Sequence, residues 1–236
     1  MNAAPATAPI LDVAGSIERA MRVLVAPGQV VELRALGVTL PGQPARAVLA
    51  GYFDDVAAFA RAAADLDGFA RGIYWTLNPL TPACLSRAPN RLAAGARAAC
   101  DEDVLARRWL PLDLDPVREP NTNATEDELA AAIERADLVW RELRKRWPGE
   151  EPVAMLSGNG THLLYRYDAP ADDAETVRDL LRQLSREFSD DTVKLDPAVS
   201  NASRIWKVPS TLARKGPASP LRPYRRAAFL GGPPWR

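Results

Sequence analysis

The longest regular pattern in the chain is a helix, and its setting constrains the fold more than any other feature. Thr125 and Glu128 form a capping box, and Leu129, Ile133, Ala136, Val139, Trp140, Leu143 and Trp147 then recur at helical spacing until Pro148-Gly149. β-rich runs flank it: 109–115 before, stopped by Pro116, and 152–157 and 161–167 after. A second helix, capped by Asp172 or Asp173, reaches about residue 188, with Val177, Leu180, Leu181, Leu184 and Phe188 inward. Short strands over 193–196 and 204–208 follow. Upstream, 30–39 and 45–53 form a hairpin around Pro41-Gly42-Gln43-Pro44, and Asp54 or Asp55 caps a helix to about residue 64. A strand over 72–77 ends at Asn78-Pro79. Residues 80–104, rich in Ala and Arg with two prolines, read as a connector with helical pieces that is free to move. Strands and helices therefore alternate irregularly, with hairpins. That predicts an α+β fold, a mainly antiparallel sheet with helices on it, over a doubly wound parallel sheet.

The 236 residues suffice for one large domain with a proper core. No apolar run approaches the roughly 18 residues that span a bilayer, so no membrane partner is expected. Residues 1–9 are Ala/Pro-rich without a positive start and read as a disordered arm rather than a secretory signal. Two cysteines, Cys84 and Cys100, and a single histidine exclude a disulfide framework and zinc-finger patterns, which points to a reduced, cytoplasmic protein. The 30 basic and 30 acidic side chains cancel overall but not locally. From residue 197 onward there are eight basic side chains and no acid, so the first 196 residues carry 22 against 30, a net of −8 facing +8. Ile205, Trp206, Val208, Tyr224 and Phe229 show that part of this basic segment folds. A folded basic segment suits a polyanion: phosphate, nucleotide or nucleic acid.

Three places can carry chemistry. In a strand, Asp113 and Asp115 share one face at roughly 6.5–7 Å spacing, with Leu112 and Leu114 on the other. Two such carboxylates repel unless a cation lies between them, and paired divalent metals are the usual solution in phosphoryl transfer. A plain strand end with two solvated aspartates is the competing reading. Second, in Ser157-Gly158-Asn159-Gly160-Thr161-His162, taking Asn159-Gly160 as the two-residue loop makes Ser157 and His162 cross-strand neighbours. A hydroxyl, an imidazole and glycine-exposed amides there suit an anion, although an ordinary hairpin has the same residues. No Gly-x-Ser-x-Gly elbow surrounds Ser157, which counts against a serine hydrolase. Third, Val193-Lys194-Leu195-Asp196-Pro197 is a short strand ending in one acid, followed by Arg204 and Lys207. As a set, three strand-end acids, a His hairpin and downstream bases fit metal-dependent chemistry on a triphosphate.

In this order the motifs resemble the archaeo-eukaryotic primase superfamily, and within it the prim-pol domains of bacterial mobile elements, phages and plasmids. That family carries an Asp-x-Asp motif, a Ser-x-Gly-x-His-like motif and a hydrophobic-Asp motif, matched here by Asp113 and Asp115, by Ser157 to His162, and by Leu195-Asp196. Flanking segments resemble it too: Tyr74-Trp75-Thr76-Leu77-Asn78-Pro79, Asp101-Glu102-Asp103-Val104 leading into Arg108-Trp109-Leu110, and 203–211. The resemblance spans about residues 72–211. It implies one prim-pol domain over 10–230: an N-terminal α/β unit over about 10–105 and a catalytic unit with an RNA-recognition-motif-like (RRM-like) sheet over about 106–230.

The resemblance also implies template-directed nucleotidyl transfer from dNTPs or NTPs, which makes or extends primers in replication. Asp113, Asp115 and Asp196 would bind two Mg²⁺ or Mn²⁺ ions. Ser157, Gly158, Asn159, Gly160 and His162 would hold the incoming nucleotide, with His162 also counted among the catalytic residues. Arg204 and Lys207 are candidates for contacts to its triphosphate or to the primer, although on a regular strand they face opposite sides. Asn78 and Arg118 are further nucleotide-binding candidates by neighbourhood, and Tyr74 lies in a segment suggestive for sugar discrimination. Implied partners are a single-stranded DNA template, a primer and a helicase. No zinc module is present to start strands without a primer, and residues 231–236 read as a linker to the rest of a longer replication protein. Two other classes stay open: a non-catalytic nucleic-acid-binding initiator module, and a metal-dependent nuclease, which also clusters carboxylates.

Overall fold

In the first half, local signals start each element. Asp12 Oδ1 accepts from Gly15 N at 2.8 Å and opens α1 (Val13–Leu24), whose buried face is Ile17, Ala20, Met21 and Leu24. The hairpin of β1 (Val31–Val38) and β2 (Arg46–Phe53) pairs Val31 with Phe53 through to Val38 with Arg46, around the expected turn. Asp55, accepting from Ala57 N and Ala58 N, caps α2 (Val56–Asp65). β3 (Gly72–Thr76) pairs with β1 on its other side, and the short β4 (Ala93–Ala94) edges β2. These are parts of a computed structural model that describes residues 12–232. The arm expected over 1–9 lies outside the described residues.

The second half runs β5 (Arg107–Pro116), α3 (Glu126–Arg146), β6 (Val153–Leu156), β7 (Thr161–Ala169), α4 (Ala174–Phe188) and β8 (Val193–Leu195). The sheet order β6-β7-β5-β8 makes this a β-α-β-β-α-β unit with all neighbours antiparallel, the arrangement of an RRM-like sheet. The α3 capping box forms as expected, Thr125 Oγ1 accepting from Glu128 N at 3.1 Å and Glu128 returning the bond to Thr125 N at 2.9 Å. Leu112 and Leu114 point into the core shared with Val139, Leu143, Leu181 and Leu184. By strand alternation Asp113 and Asp115 point the other way.

The remaining strands tie the halves together. β9 (Ile205–Lys207) leaves the second unit and pairs with β3, Trp75 opposite Trp206, so the first sheet runs β4-β2-β1-β3-β9. β10 (Leu212–Ala213) and β11 (Arg225–Arg226) form a small ladder. β12 (Ala228–Gly231) adds a fifth strand beside β6. The expected linker over 231–236 thus begins on a sheet strand at Gly231, and residues 233–236 lie outside the described residues. Residues 80–104, read as a free connector, instead pack Leu80, Cys84, Ala88, Ala99 and Val104 into a second apolar cluster with Val30, Tyr52 and Ala202. The Arg87–Asp103 ion pair, 2.6 and 2.8 Å, pins them. Burying this side of the sheet outweighs the loop-like composition. Among the described residues no helix is long and apolar enough to cross a membrane. The architecture is α+β.

Candidate active site in the cleft between the sheets

Asp113 sits at the centre. Pairing with β7 puts His162 directly across from it, and Asp196 N donates to Asp113 O at 2.9 Å on the other flank, just past β8. His162 Nε2 stands 3.3 Å from Asp113 Oδ1. Asp113 Oδ1 and His162 Nδ1 are both buried without a hydrogen-bond partner. Trp206 of β9 covers the imidazole, ring centres 4.3 Å apart. Asp115, two residues along the same face, lies 3.4 Å from Lys215 Nζ and 3.6 Å from an Arg118 guanidinium nitrogen. Asp196 spends Oδ1 on Ala198 N at 2.8 Å, capping the 3₁₀ turn Pro197–Ser200.

The facing wall comes from the first sheet and the basic segment. Arg71, Tyr74, Arg204, Lys207, Arg214 and Lys215 line the same cleft as Asp113, Asp115, Ser157, Asn159, His162 and Asp196, about 150 Å³ in all. Five cations therefore face three acids. Arg204 precedes β9, so the strand alternation that would separate it from Lys207 does not govern it; its guanidinium donates to Ala198 O. Lys207 is buried, donating to Thr211 Oγ1 at 2.7 Å and Leu212 O at 3.0 Å. Burial pushes its amine down to about 7, helped by Arg226 and opposed by Asp67. Burial likewise raises the Tyr74 phenol; Arg71 opposes this, and Asp115 and Asp113 add to it.

The hairpin differs from its expected register. Leu156 pairs with Thr161, Met155 with His162, and Ser157 N donates to Gly160 O at 2.9 Å, so the two-residue loop is Gly158-Asn159. Gly158 takes φ +91°, the conformation a type II′ turn demands at its first central position, and this overrides the Asn-Gly signal. Ser157 is therefore opposite Gly160 rather than His162, yet the two-residue offset keeps Ser157 and His162 on one face. Ser157 Oγ accepts from Asn159 N at 3.2 Å and Gly160 N at 2.9 Å, so those amides are already engaged. Asn159 is buried, its Oδ1 accepting from Ala124 N at 2.7 Å at the start of α3. Gly160 is held bare: a Cβ there would stand 2.4 Å from Asp115 Oδ1 and 2.6 Å from Leu114 O.

Besides the turn glycines Gly158 and Gly160, two candidates lie outside the cleft lining. Asn78 is buried, donating to Ala202 O and accepting from Arg108 N, each at 2.8 Å. Arg118 is spent on Thr122 O and Pro116 O beside Asp115. Sequence reasoning passed over Arg71 entirely and saw Arg214 and Lys215 only as members of a basic segment; no local motif marks them.

As the side chains stand, no three His, Cys, Asp or Glu groups among the described residues converge enough to hold a metal ion. The donors nonetheless suit a hard cation. Asp113 keeps a buried carboxylate oxygen unpartnered, and Asp115 and Asp196 supply oxygens on the same face.

No family model matches the sequence, and no curated protein matches it. Two solved structures are similar in chain course. One is the polymerase domain from Mycobacterium tuberculosis Ligase D in complex with DNA, with TM-score 0.46 and 16% identity, over 91% of this chain and 79% of that one. The other is the catalytic domain of primase Repb' in complex with initiator DNA, with TM-score 0.43 and 12% identity, over 91% of this chain and 84% of that one.

Proposed function

We propose that the chain is a primase-polymerase, which transfers nucleotides from dNTPs or NTPs to a 3′-hydroxyl on a single-stranded DNA template. The observation that carries this is the cleft itself: three strand-borne acids, one with a buried orphan oxygen, facing five cations across a gap. A non-catalytic DNA binder gains nothing from placing acids where phosphates would sit, since like charges repel. Asp113, Asp115 and Asp196 are the residues that would hold Mg²⁺ or Mn²⁺. Bound there, the metals would neutralise triphosphate charge and ease deprotonation of the attacking hydroxyl.

The chain's own residues do the rest. Arg71, Arg204, Arg214 and Lys215 hold the phosphate oxygens, and Lys207 adds a cation from beneath. His162, fixed between Asp113 and Trp206, orients the nucleotide through its unpartnered Nδ1. Ser157 shapes the Gly158-Asn159 turn that forms the cleft floor. Asn78 and Arg118 serve at one remove, bracing the chain around the acids.

The test is extension on single-stranded template with Mg²⁺ or Mn²⁺ and labelled dNTPs or NTPs, with and without primer, beside Asp113→Ala. The expected result is extension in the wild type and a loss of about a hundredfold or more in the variant, with folding unchanged. Template degradation would instead identify a nuclease. DNA binding without synthesis in any condition would identify an initiator module.

A further inference from the structure

A second, wider groove of about 780 Å³ opens from the cleft, and Arg71, Arg214 and Lys215 line both. Its far side is Arg46 at the start of β2, Phe69 and Tyr224. No acidic side chain lines it. Phe69 is 40% exposed, an unusual position for a large apolar ring unless something covers it. The Arg214 guanidinium lies 5.1 Å over the Tyr224 ring, which places a cation and an aromatic ring side by side on the groove wall. Arg71 is seated by a built feature: Gly37 in β1 has φ +60°, and a Cβ there would meet Arg71 Cδ at 2.7 Å.

From this geometry we infer that the groove is the path of a single DNA strand leading into the cleft. Cations spaced along a groove with aromatic faces between them are what an unpaired strand needs: charge for its phosphates and rings for its bases. Duplex keeps its bases stacked and cannot use Phe69. The assignment rests on reading the cleft as the nucleotidyl-transfer site, because continuity with that site makes this strand the template.

Binding and catalysis can be scored separately. A fluorescein-labelled oligo-dT of about 20 nucleotides is titrated with the full chain in EDTA, with fluorescence anisotropy as readout. Phe69→Ala should weaken binding roughly five- to hundredfold. Arg46→Ala should weaken it and make the log–log salt dependence shallower by about 0.7, the share of one single-strand phosphate. Arg141→Ala, on the outer face of α3, should bind as wild type, and duplex of equal length should bind more weakly and ignore Phe69→Ala. Wild-type affinity in both groove variants would overturn the inference even if extension is robust. Groove-dependent binding without any extension would leave the groove standing and remove the polymerase reading.

Discussion

At the scale of a residue, Lys207 is the group whose chemistry departs most from its ordinary state. The residue is 5% exposed, and its amine donates to Thr211 Oγ1 and Leu212 O and lies 5.8 Å from the Tyr74 ring centre. The charged groups that act on it are Asp67, which favours the proton, and Arg226, which opposes it. In the unfolded chain the amine holds its proton to its ordinary value of 10.5, whereas in the folded chain it releases it near 7. Between those values the unfolded state binds more protons, so this group makes stability rise with pH; below 7 the cost of the buried charge is fully present. Chemical denaturation from pH 7.5 to 9.5 should show wild type gaining on Lys207→Met by up to about 1.4 kcal/mol per pH unit. A constant difference would mean that Lys207 keeps its charge throughout. A triphosphate in the cleft should pull the pKa back up, so nucleotide binding near pH 8 should take up protons, visible as calorimetric heats that vary with buffer ionisation enthalpy.

At the scale of an element, the segment after β3 acts as a clamp on the loop between Asp196 and Arg204. Leu77 N donates to Arg204 O at 3.0 Å, Asn78 Nδ2 to Ala202 O at 2.8 Å and buried Arg107 to Ser200 O at 2.9 Å. Asp101 Oδ1 accepts from Ser203 N and Oγ at 2.8 and 2.7 Å. The spacing of the third acid from its neighbouring arginine is thus held by bonds of which only that of Leu77 reaches Arg204 and none reaches Asp196. Asn78→Ala strands a buried N–H on Arg108 and a carbonyl on Ala202. It should cost about 1–3 kcal/mol in urea denaturation. Asn78→Asp keeps the acceptor but buries a carboxylate against the Ala202 carbonyl, so its cost should be at least as large; unchanged extension in both would separate the clamp from the site.

None of these partners is visible in sequence, because Asn78 reaches 124 residues along the chain. What was legible is what is local: the capped helices, the hairpins, and the shared face of Asp113 and Asp115. The pattern of α1, with Ile17, Ala20, Met21 and Leu24 at helical spacing behind Asp12, was equally local and went unread. The two- to four-residue strands β10 to β12 were beyond local reasoning, since such strands exist only through the partners they find, as was the entry of Arg71 into the cleft.

At the scale of the molecule, the charge asymmetry is largely answered from within. Arg222 forks onto Glu128 at 2.7 and 2.8 Å, Arg225 reaches Glu126 and Ala124 O, each at 2.6 Å, and Arg226 pairs with Asp67. Asn123 donates to three carbonyls of the same segment, and β12 then closes the sheet beside β6. The basic segment therefore has two tasks. Its first part carries Arg214 and Lys215 into the cleft, and its second part staples the start of α3 to the sheet edge.

A chain ending at Ser219 separates these tasks. It keeps the cleft lysine but loses the arginine staples, the β12 strand and the core cover from Phe229 and Leu230. Leaving partly buried Glu128 unpaired and the β6 edge bare should cost at least about 3 kcal/mol. That corresponds to a fall of roughly 6–12 °C in Tm by calorimetry for a domain of this size. The wild-type Tm should also fall with added salt more than that of the shortened chain, because salt screens the ion pairs that only the longer chain has. Equal Tm values would show the segment to be a passive tail, and the charge asymmetry would then have to be spent entirely on what binds in the groove.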